Sequence, residues 1–116
     1  MVTIKEKGLL LHIIKHCKRI VTKMQCVDLA MFSEDEDIQE IVCFNLLQIG
    51  ELVKRFSDGF IKKHKDIPWN KIAGMRDIIA HGYGTIRLEE IYKTAILDIE
   101  PLIDDCKRIL NEKSTI

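Results

Sequence analysis

The sequence lacks an apolar stretch that is long enough to cross a membrane. Its longest apolar run, residues 8–14, is interrupted by His12 and ends at Lys15, whereas a membrane-spanning helix needs about 20 apolar residues. A small-residue cleavage site, which would mark a secretory signal, is also missing. These two absences predict a cytoplasmic protein without a membrane segment.

Closely paired cysteines and an excess of one charge are missing as well. None of the four cysteines belongs to a C-x-x-C pair, so we interpret them as reduced and mostly buried, with a disulfide or a zinc site as the minor alternative. The 18 basic and 18 acidic side chains give a formal net charge of zero. This balance argues against a protein that coats nucleic acid through bulk electrostatic attraction.

The charges are nevertheless distributed unevenly along the chain. Residues 33–40 carry five acidic side chains and no basic one, whereas residues 54–76 carry seven basic side chains and two acidic ones. A locally basic segment can contact phosphate groups in a protein that is neutral as a whole. A solvated helix face is the simpler interpretation of any single cluster, including residues 62–65.

Apolar residues recur at intervals of three and four along almost the whole chain, which predicts an all-α protein. Ser33 is the expected N-cap of a long second helix, and the glycines at 82 and 84 are expected to end the helix before them. We expect one domain over residues 1–116, folded as an antiparallel four- to five-helix bundle with a frayed tail at 111–116. The predicted helices cover residues 3–24, 34–56, 60–65, 69–81, 89–97 and 102–110.

A polar cluster, Arg76, Asp77 and His81, ends the predicted helix over residues 69–81. Asp77 and His81 are one helical turn apart, so they share a face and Asp77 can orient the imidazole ring. An arginine can hold a phosphate through two hydrogen bonds, and a histidine can move a proton near neutral pH. The cluster therefore suits phosphate chemistry, although composition alone favours surface ion pairs without a catalytic role.

Three strings in this sequence occur together in one known family. The cluster reads R-x4-H-x-Y, residues 45–51 read N-L-L-Q-I-G-E, and residues 67–69 read I-P-W. In order and spacing they resemble the HEPN-domain ribonucleases of the HepT type, over roughly residues 35–110. The residues that match the family motif are Arg76, His81 and Tyr83.

The resemblance implies a metal-independent endoribonuclease that needs no cofactor and acts as a homodimeric toxin. Arg76 would hold the scissile phosphate, and His81 would be the general base or acid for attack by the RNA's own 2′-hydroxyl. Asp77 would orient either His81 or Arg76. The resemblance also implies an antitoxin, a small nucleotidyltransferase of the MntA type. This partner would transfer AMP to Tyr83 and so add negative charge where RNA must bind.

Three polar side chains at steps of three on the predicted 34–56 helix have two open interpretations. They support the cleft, or they form a buried hydrogen-bond network that fixes the register of the helices. These side chains are Asn45, Gln48 and Glu51.

Other candidate residues have structural interpretations that we prefer. His12 and His16 have the spacing of two metal ligands, but no third ligand is evident, so we expect packed or solvent-facing histidines. Trp69 is interpreted as a core residue and not as a platform for base stacking. For the whole chain, the alternative to an enzyme is a non-catalytic HEPN-type module that binds a nucleotidyltransferase, and the intact Arg76 and His81 favour the enzyme.

Overall fold

A computed structural model describes residues 2–82 and 87–112, which form seven helices and contain no strand. The all-α bundle predicted from the sequence is thereby confirmed. Residues 113–116 of the expected tail lie outside the described residues. The helices are α1 (Ile4–Lys23), α2 (Leu29–Glu34), α3 (Glu36–Val53), α4 (Asp58–Lys63), α5 (Trp69–Gly82), α6 (Leu88–Leu97) and α7 (Ile99–Leu110).

Helix α3 lies at the centre of the bundle, where it packs against α1 on one side and α5 on the other. Helix α1 in turn packs against α7. Full burial of an aliphatic side chain is worth roughly 1.5–3 kcal/mol, so these contacts supply most of the stability. The fully buried side chains of α1 are Leu10, Ile13, Cys17 and Ile20.

Among the described helices, none combines the length and the apolar character that a bilayer crossing requires.

The structure corrects the predicted start of the second long helix. A separate helix, α2, precedes α3, and Ser33 lies inside α2, where it cannot cap α3. The cap of α3 is Asp35, whose carboxylate accepts a hydrogen bond of 3.1 Å from the Ile38 amide. A carboxylate both satisfies this free N–H group and interacts favourably with the positive end of the helix dipole.

Two other predicted helix starts shift by two or three residues. Helix α4 begins at Asp58 and not at residue 60, because the Ser57 hydroxyl accepts a hydrogen bond from the Phe60 amide. Helix α7 begins at Ile99, which places Pro101 within the first turn. A proline is tolerated there because its missing N–H would have had no partner within the helix.

Helix α5 runs antiparallel to α3. The ring of Trp69, at the start of α5, lies 5.3 Å from the ring of Phe56, just beyond the end of α3, and Arg76 is near Gly50 further back along α3. The buried Trp69 indole donates a hydrogen bond of 3.0 Å to the His64 carbonyl. The interpretation of Trp69 as a core residue is confirmed.

A buried asparagine connects α3 to α1. Asn45 donates to the Ile41 carbonyl at 2.8 Å, and its Oδ1 lies 2.8 Å from Nδ1 of His16 on α1. An amide oxygen can only accept, so His16 Nδ1 carries the proton. These contacts favour the register-fixing interpretation of Asn45, because its side chain is hydrogen-bonded to α1.

Replacement of Asn45 by alanine is expected to lower the free energy of unfolding by about 1–3 kcal/mol, because the partly buried His16 N–H loses its acceptor. Urea unfolding measures this change. The two side chains serve one hydrogen bond, so the double variant with His16→Ala should lose less than the sum of the single variants. Strictly additive losses would contradict the role assigned to this contact.

Candidate functional site

Helix α5 presents Arg76 and His81 on a surface that the other described residues leave largely uncovered. Only Trp69 and Ile79 are buried in this helix. His81 is exposed, and so is Ile78, which keeps 53% of its surface in solvent. The side chains of Arg76 and His81 therefore lie where a large ligand can reach them.

A close contact between two helices sets the position of Arg76. Gly50 on α3 is buried, and a Cβ atom placed on it would lie 2.1 Å from Cβ of Arg76. Carbon atoms that are not bonded to each other do not come so near, so only glycine permits this approach of α5 to α3. The base of the Arg76 side chain is thus held against the α3 backbone.

The Arg76 guanidinium group belongs to a network of four alternating charges. Its Nε atom contacts the Glu51 carboxylate, and its Nη1 atom lies 3.2 Å from Oδ1 of Asp77. Lys54 donates a hydrogen bond to the same Asp77 oxygen. We name these four residues the Arg76 cluster; its two cations and two carboxylates sum to zero charge.

The contact between Arg76 and Glu51 is close but not aligned as a hydrogen bond. Nε of Arg76 is buried, and among the described residues no acceptor meets the geometry that its N–H requires. An unaligned buried donor is less stable than a satisfied one. The side chain remains 27% exposed, so the guanidinium group can turn towards an anion that approaches from solvent.

The Asp77 carboxylate is held in its charged form. Its hydrogen bond from Lys54 is the largest cause that lowers the pKa of Asp77 below its usual value; partial desolvation opposes this effect, and the hydrogen bond and charge of Arg76 add to it. The carboxylate therefore stays ionised at neutral pH and holds the side chains of both cations.

The imidazole of His81 is oriented by the backbone. Its Nδ1 atom lies 2.9 Å from the carbonyl oxygen of Asp77, and because a carbonyl only accepts, Nδ1 carries the proton in the neutral ring. The lone pair is then on Nε2, which is the form that can accept a proton. Asp77 thus contacts His81 through its main chain, whereas its carboxylate contacts Arg76.

The other expected site residues are separated by the structure. Glu51 contacts Arg76, while half-buried Gln48 lies one turn earlier on α3. Asn45 is directed towards α1, as described above. Tyr83 lies outside the described residues.

Sequence reasoning missed two residues that shape the site. Gly50 was part of the quoted N-L-L-Q-I-G-E string, but the need for a missing Cβ became evident only from the helix contact. Lys54 follows Glu51 by three residues, a spacing that places both on one side of a helix. That spacing was the available signal for a charged partner of the motif.

Cysteines and histidines away from the motif have structural surroundings. All four cysteines are free thiols, and three of them are buried, as predicted. Burial raises the pKa of Cys43 to about 11 and, as the largest cause, that of Cys106 to about 12, so these thiols are protonated and unreactive near neutral pH. Within the described ranges, no group of three His, Cys, Asp or Glu side chains is arranged to hold a metal ion.

Gly50→Ala is expected to lower the free energy of unfolding by about 1–3 kcal/mol, because the new methyl group overlaps Arg76 and forces α5 away from α3. The matched control is Gly74→Ala on α5, where nothing lies within 4 Å of the added Cβ. That control should raise the free energy by roughly 0.5–1 kcal/mol through helix propensity alone. Equal effects of the two substitutions in urea unfolding would contradict the close contact.

Comparison with known proteins places the chain in a family. A protein from Caldanaerobacter subterraneus subsp. tengcongensis that carries a provisional RNase name is 31% identical over 102 residues, which cover 88% of this chain and 91% of that protein. A protein from Thermococcus cleftensis named as a probable ribonuclease HepT is 35% identical over 68 residues, 59% of this chain and 62% of that one. No solved structure matches the chain significantly. The family model described as ribonuclease HepT-like matches residues 10–109, and the chain therefore belongs to the HepT-like ribonuclease family.

Proposed function

We propose that this chain is a metal-independent endoribonuclease, acting in the cytoplasm as the toxin of a toxin–antitoxin pair. The observation that carries the proposal is the arrangement on α5 of an anchored cation, Arg76, and a histidine whose Nε2 lone pair is free to accept a proton, His81. Family membership and the RNase names of its relatives support RNA as the substrate.

In the proposed reaction His81 activates the RNA itself. Nε2 of His81 takes the proton of a 2′-hydroxyl group, whose oxygen then bonds to the adjacent phosphorus. The bond between phosphorus and the 5′-oxygen breaks, which leaves a 2′,3′-cyclic phosphate and a 5′-hydroxyl group. The departing 5′-oxygen receives its proton from an imidazolium group.

Arg76 has the charge-stabilising part in this reaction. Negative charge builds up on the non-bridging phosphate oxygens as the 2′-oxygen attacks, and a guanidinium group can bind two of these oxygens at once. Asp77 and Lys54 then act as positioning residues, because Asp77 restrains Arg76 and Lys54 restrains Asp77. Glu51 also contacts Arg76 and must release part of it when a phosphate binds.

A homodimer is part of the proposal. Ile78 lies between Arg76 and His81 in sequence and leaves an apolar side chain half exposed on the motif helix. A second copy packed on this helix would cover it and bring two motifs to one cleft. His81 of one copy would then accept the first proton, and His81 of the other copy would donate the second.

Regulation by AMP transfer to Tyr83 completes the proposal. Tyr83 follows His81 by two residues in the sequence, and its phenol is the proposed acceptor of AMP. An added AMP brings a negative phosphate and a bulky base, which oppose RNA binding through repulsion and through occupied space. A small nucleotidyltransferase of the MntA type is the proposed donor enzyme and antitoxin.

One observation favours the alternative of a non-catalytic binding module. The two carboxylates of the Arg76 cluster already neutralise its two cations, as expected for ion pairs with a purely structural role. In that case the motif helix would bind a nucleotidyltransferase without cleaving RNA. A cleavage assay separates the two functions.

His81→Ala is expected to reduce RNA cleavage at least about 100-fold, because it removes the general base. Purified protein is incubated with RNA and a chelator, and the products are resolved by gel electrophoresis. His12→Ala, which removes an exposed histidine from α1, serves as the matched control and should cleave like the wild type. Undiminished cleavage by folded His81→Ala would remove His81 from the mechanism.

Arg76→Lys keeps the positive charge but loses the planar fork that binds two oxygens. We expect cleavage to fall by at least about tenfold, with the products unchanged. If Arg76→Lys cleaves like the wild type, simple charge at this position suffices and the two-oxygen contact is wrong. If the folded, unmodified wild type does not cleave RNA in the presence of a chelator, this result instead favours the non-catalytic binding module.

Tyr83→Phe should not be labelled by the nucleotidyltransferase partner and radioactive ATP, because the acceptor oxygen is absent. The sequence offers a matched control, since Tyr92 is its only other tyrosine, and Tyr92→Phe should be labelled like the wild type. Tyr83→Phe should also keep cleaving RNA in the presence of the partner. Labelling of Tyr83→Phe would show that another group accepts AMP.

A further inference from the structure

A groove between α1 and α3 combines free cations with an exposed aromatic ring. Its volume is about 860 Å³, within the range of pockets that hold small ligands. We name it the α1–α3 groove. Its wall on α1 carries Lys18, Arg19 and Lys23, and its side on α3 carries Asp37, Glu40 and Phe44.

Phe44 is the aromatic residue of the groove. Half of its surface, 51%, is exposed, whereas the other three phenylalanines are buried in the core. An exposed ring beside cations matches the composition of sites that bind single-stranded nucleic acid, where bases stack on aromatic faces and cations contact the backbone.

The cations of the groove are available to a ligand. Among the described residues, Lys18, Arg19 and Lys23 form no ion pair, either with the acidic side of the groove or with other residues. Asp37 and Glu40 repel phosphate from the α3 side. A bound nucleic-acid strand would therefore place its phosphates along α1 and turn a base towards Phe44.

The groove continues the surface on which the Arg76 cluster lies. Phe44 and Glu51 are seven residues apart on α3, so they share one face, with about 10 Å between them along the axis. Glu51 contacts Arg76. Because α5 runs antiparallel to α3, the step from Arg76 to His81 leads towards the half of α3 that carries Phe44.

The charge balance of the Arg76 cluster calls for such a second contact. Its four charges cancel, so they add little net attraction for a polyanion, whereas phosphate contacts dominate the affinity of nucleic-acid-binding proteins. Affinity for RNA must then come from unpaired cations elsewhere. The unpaired cations of the α1–α3 groove lie next to the exposed ring of Phe44. Phe44 shares a face of α3 with Glu51, which contacts Arg76.

We propose that the α1–α3 groove is a nucleotide subsite for single-stranded RNA, in which a base stacks on Phe44 while Lys18, Arg19 and Lys23 hold the neighbouring phosphates. The proposal rests on the proposed function, because it places a nucleotide that flanks the one cleaved at Arg76 and His81. It makes the groove a determinant of affinity and of the position of the cut.

The composition of the groove favours RNA over a second copy of the chain. Lysine, aspartate and glutamate are depleted at the cores of protein interfaces, where apolar residues dominate. Four of the nine side chains that line the groove are of these three types. The apolar side chain at Ile78, on the outer face of α5, is a better fit for a partner copy.

The first test is binding of a short 2′-O-methyl RNA strand of mixed sequence, which has no free 2′-hydroxyl group and reports binding without cleavage. We expect Phe44→Ala to weaken binding at least about fivefold in fluorescence anisotropy, and Phe44→Tyr to bind like the wild type. Leu97→Ala, which truncates a side chain that is 64% exposed on α6, is the matched control and should bind normally.

The second test is the salt dependence of the same binding. Each phosphate contact on a single strand contributes about 0.7 to the slope of log affinity against log salt. Lys18→Gln combined with Lys23→Gln should therefore lower the slope by about 1.4. Lys107→Gln, at an exposed lysine on α7, should leave the slope unchanged.

Two results would overturn the subsite. Wild-type affinity of Phe44→Ala together with an unchanged salt slope in the double lysine variant would show that RNA does not use the groove. Dissociation of a dimer by Phe44→Ala in sedimentation, with RNA affinity unchanged, would assign the groove to a second copy. Cleavage of ordinary RNA is measured in parallel: a wild type that binds the methylated strand through Phe44 but cleaves nothing contradicts the proposed function and leaves the subsite standing.

Discussion

The arrangement of the motif depends on one contact, the approach of α5 to α3 at Gly50. Because Gly50 has no Cβ, the backbone of α3 comes within contact of the Arg76 side chain near its base. A long, flexible arginine is thus restrained where it leaves the helix, and its guanidinium group is paired with Glu51 and Asp77. The approach also brings Glu51 and Lys54 of α3 next to Arg76 and Asp77 of α5, so a single missing side chain organises the whole charged cluster.

Helix α3 serves both the core and the site. One side holds α1 through the hydrogen bond between Asn45 and His16, another side holds α5, and the exposed strip between them carries Phe44 and Glu51. The polar residues of this helix therefore have two roles, contact with the core helix α1 and contact with the site, and the sequence pattern alone does not distinguish them. The strip stays open because no other described helix covers it, and this is where a long ligand can lie.

Much of the fold was predictable because periodic apolar residues determine helices locally. The starts of the helices were less predictable. Ser33 and Asp35 are both good caps, but Ser33 lies inside α2, and Asp35 therefore caps α3. For the site, the motif string indicated which side chains matter, but their pairing depends on contacts between residues more than 20 positions apart. Sequence spacing suggested that the Asp77 carboxylate faces His81; the carboxylate instead accepts hydrogen bonds from Lys54 and Arg76, because α3 supplies a cation there.

The carboxylates that already occupy Arg76 affect which anions it can bind. A small metabolite such as free phosphate would have to displace Glu51 or Asp77 and would gain few other contacts in return. A polymer that is anchored elsewhere makes the same exchange within the bound complex, at a high effective concentration. The ion pairs thus make Arg76 selective among anions. Abundant small anions in the cell are poor competitors for this arginine, whereas an anionic polymer with several attachment points can still bind.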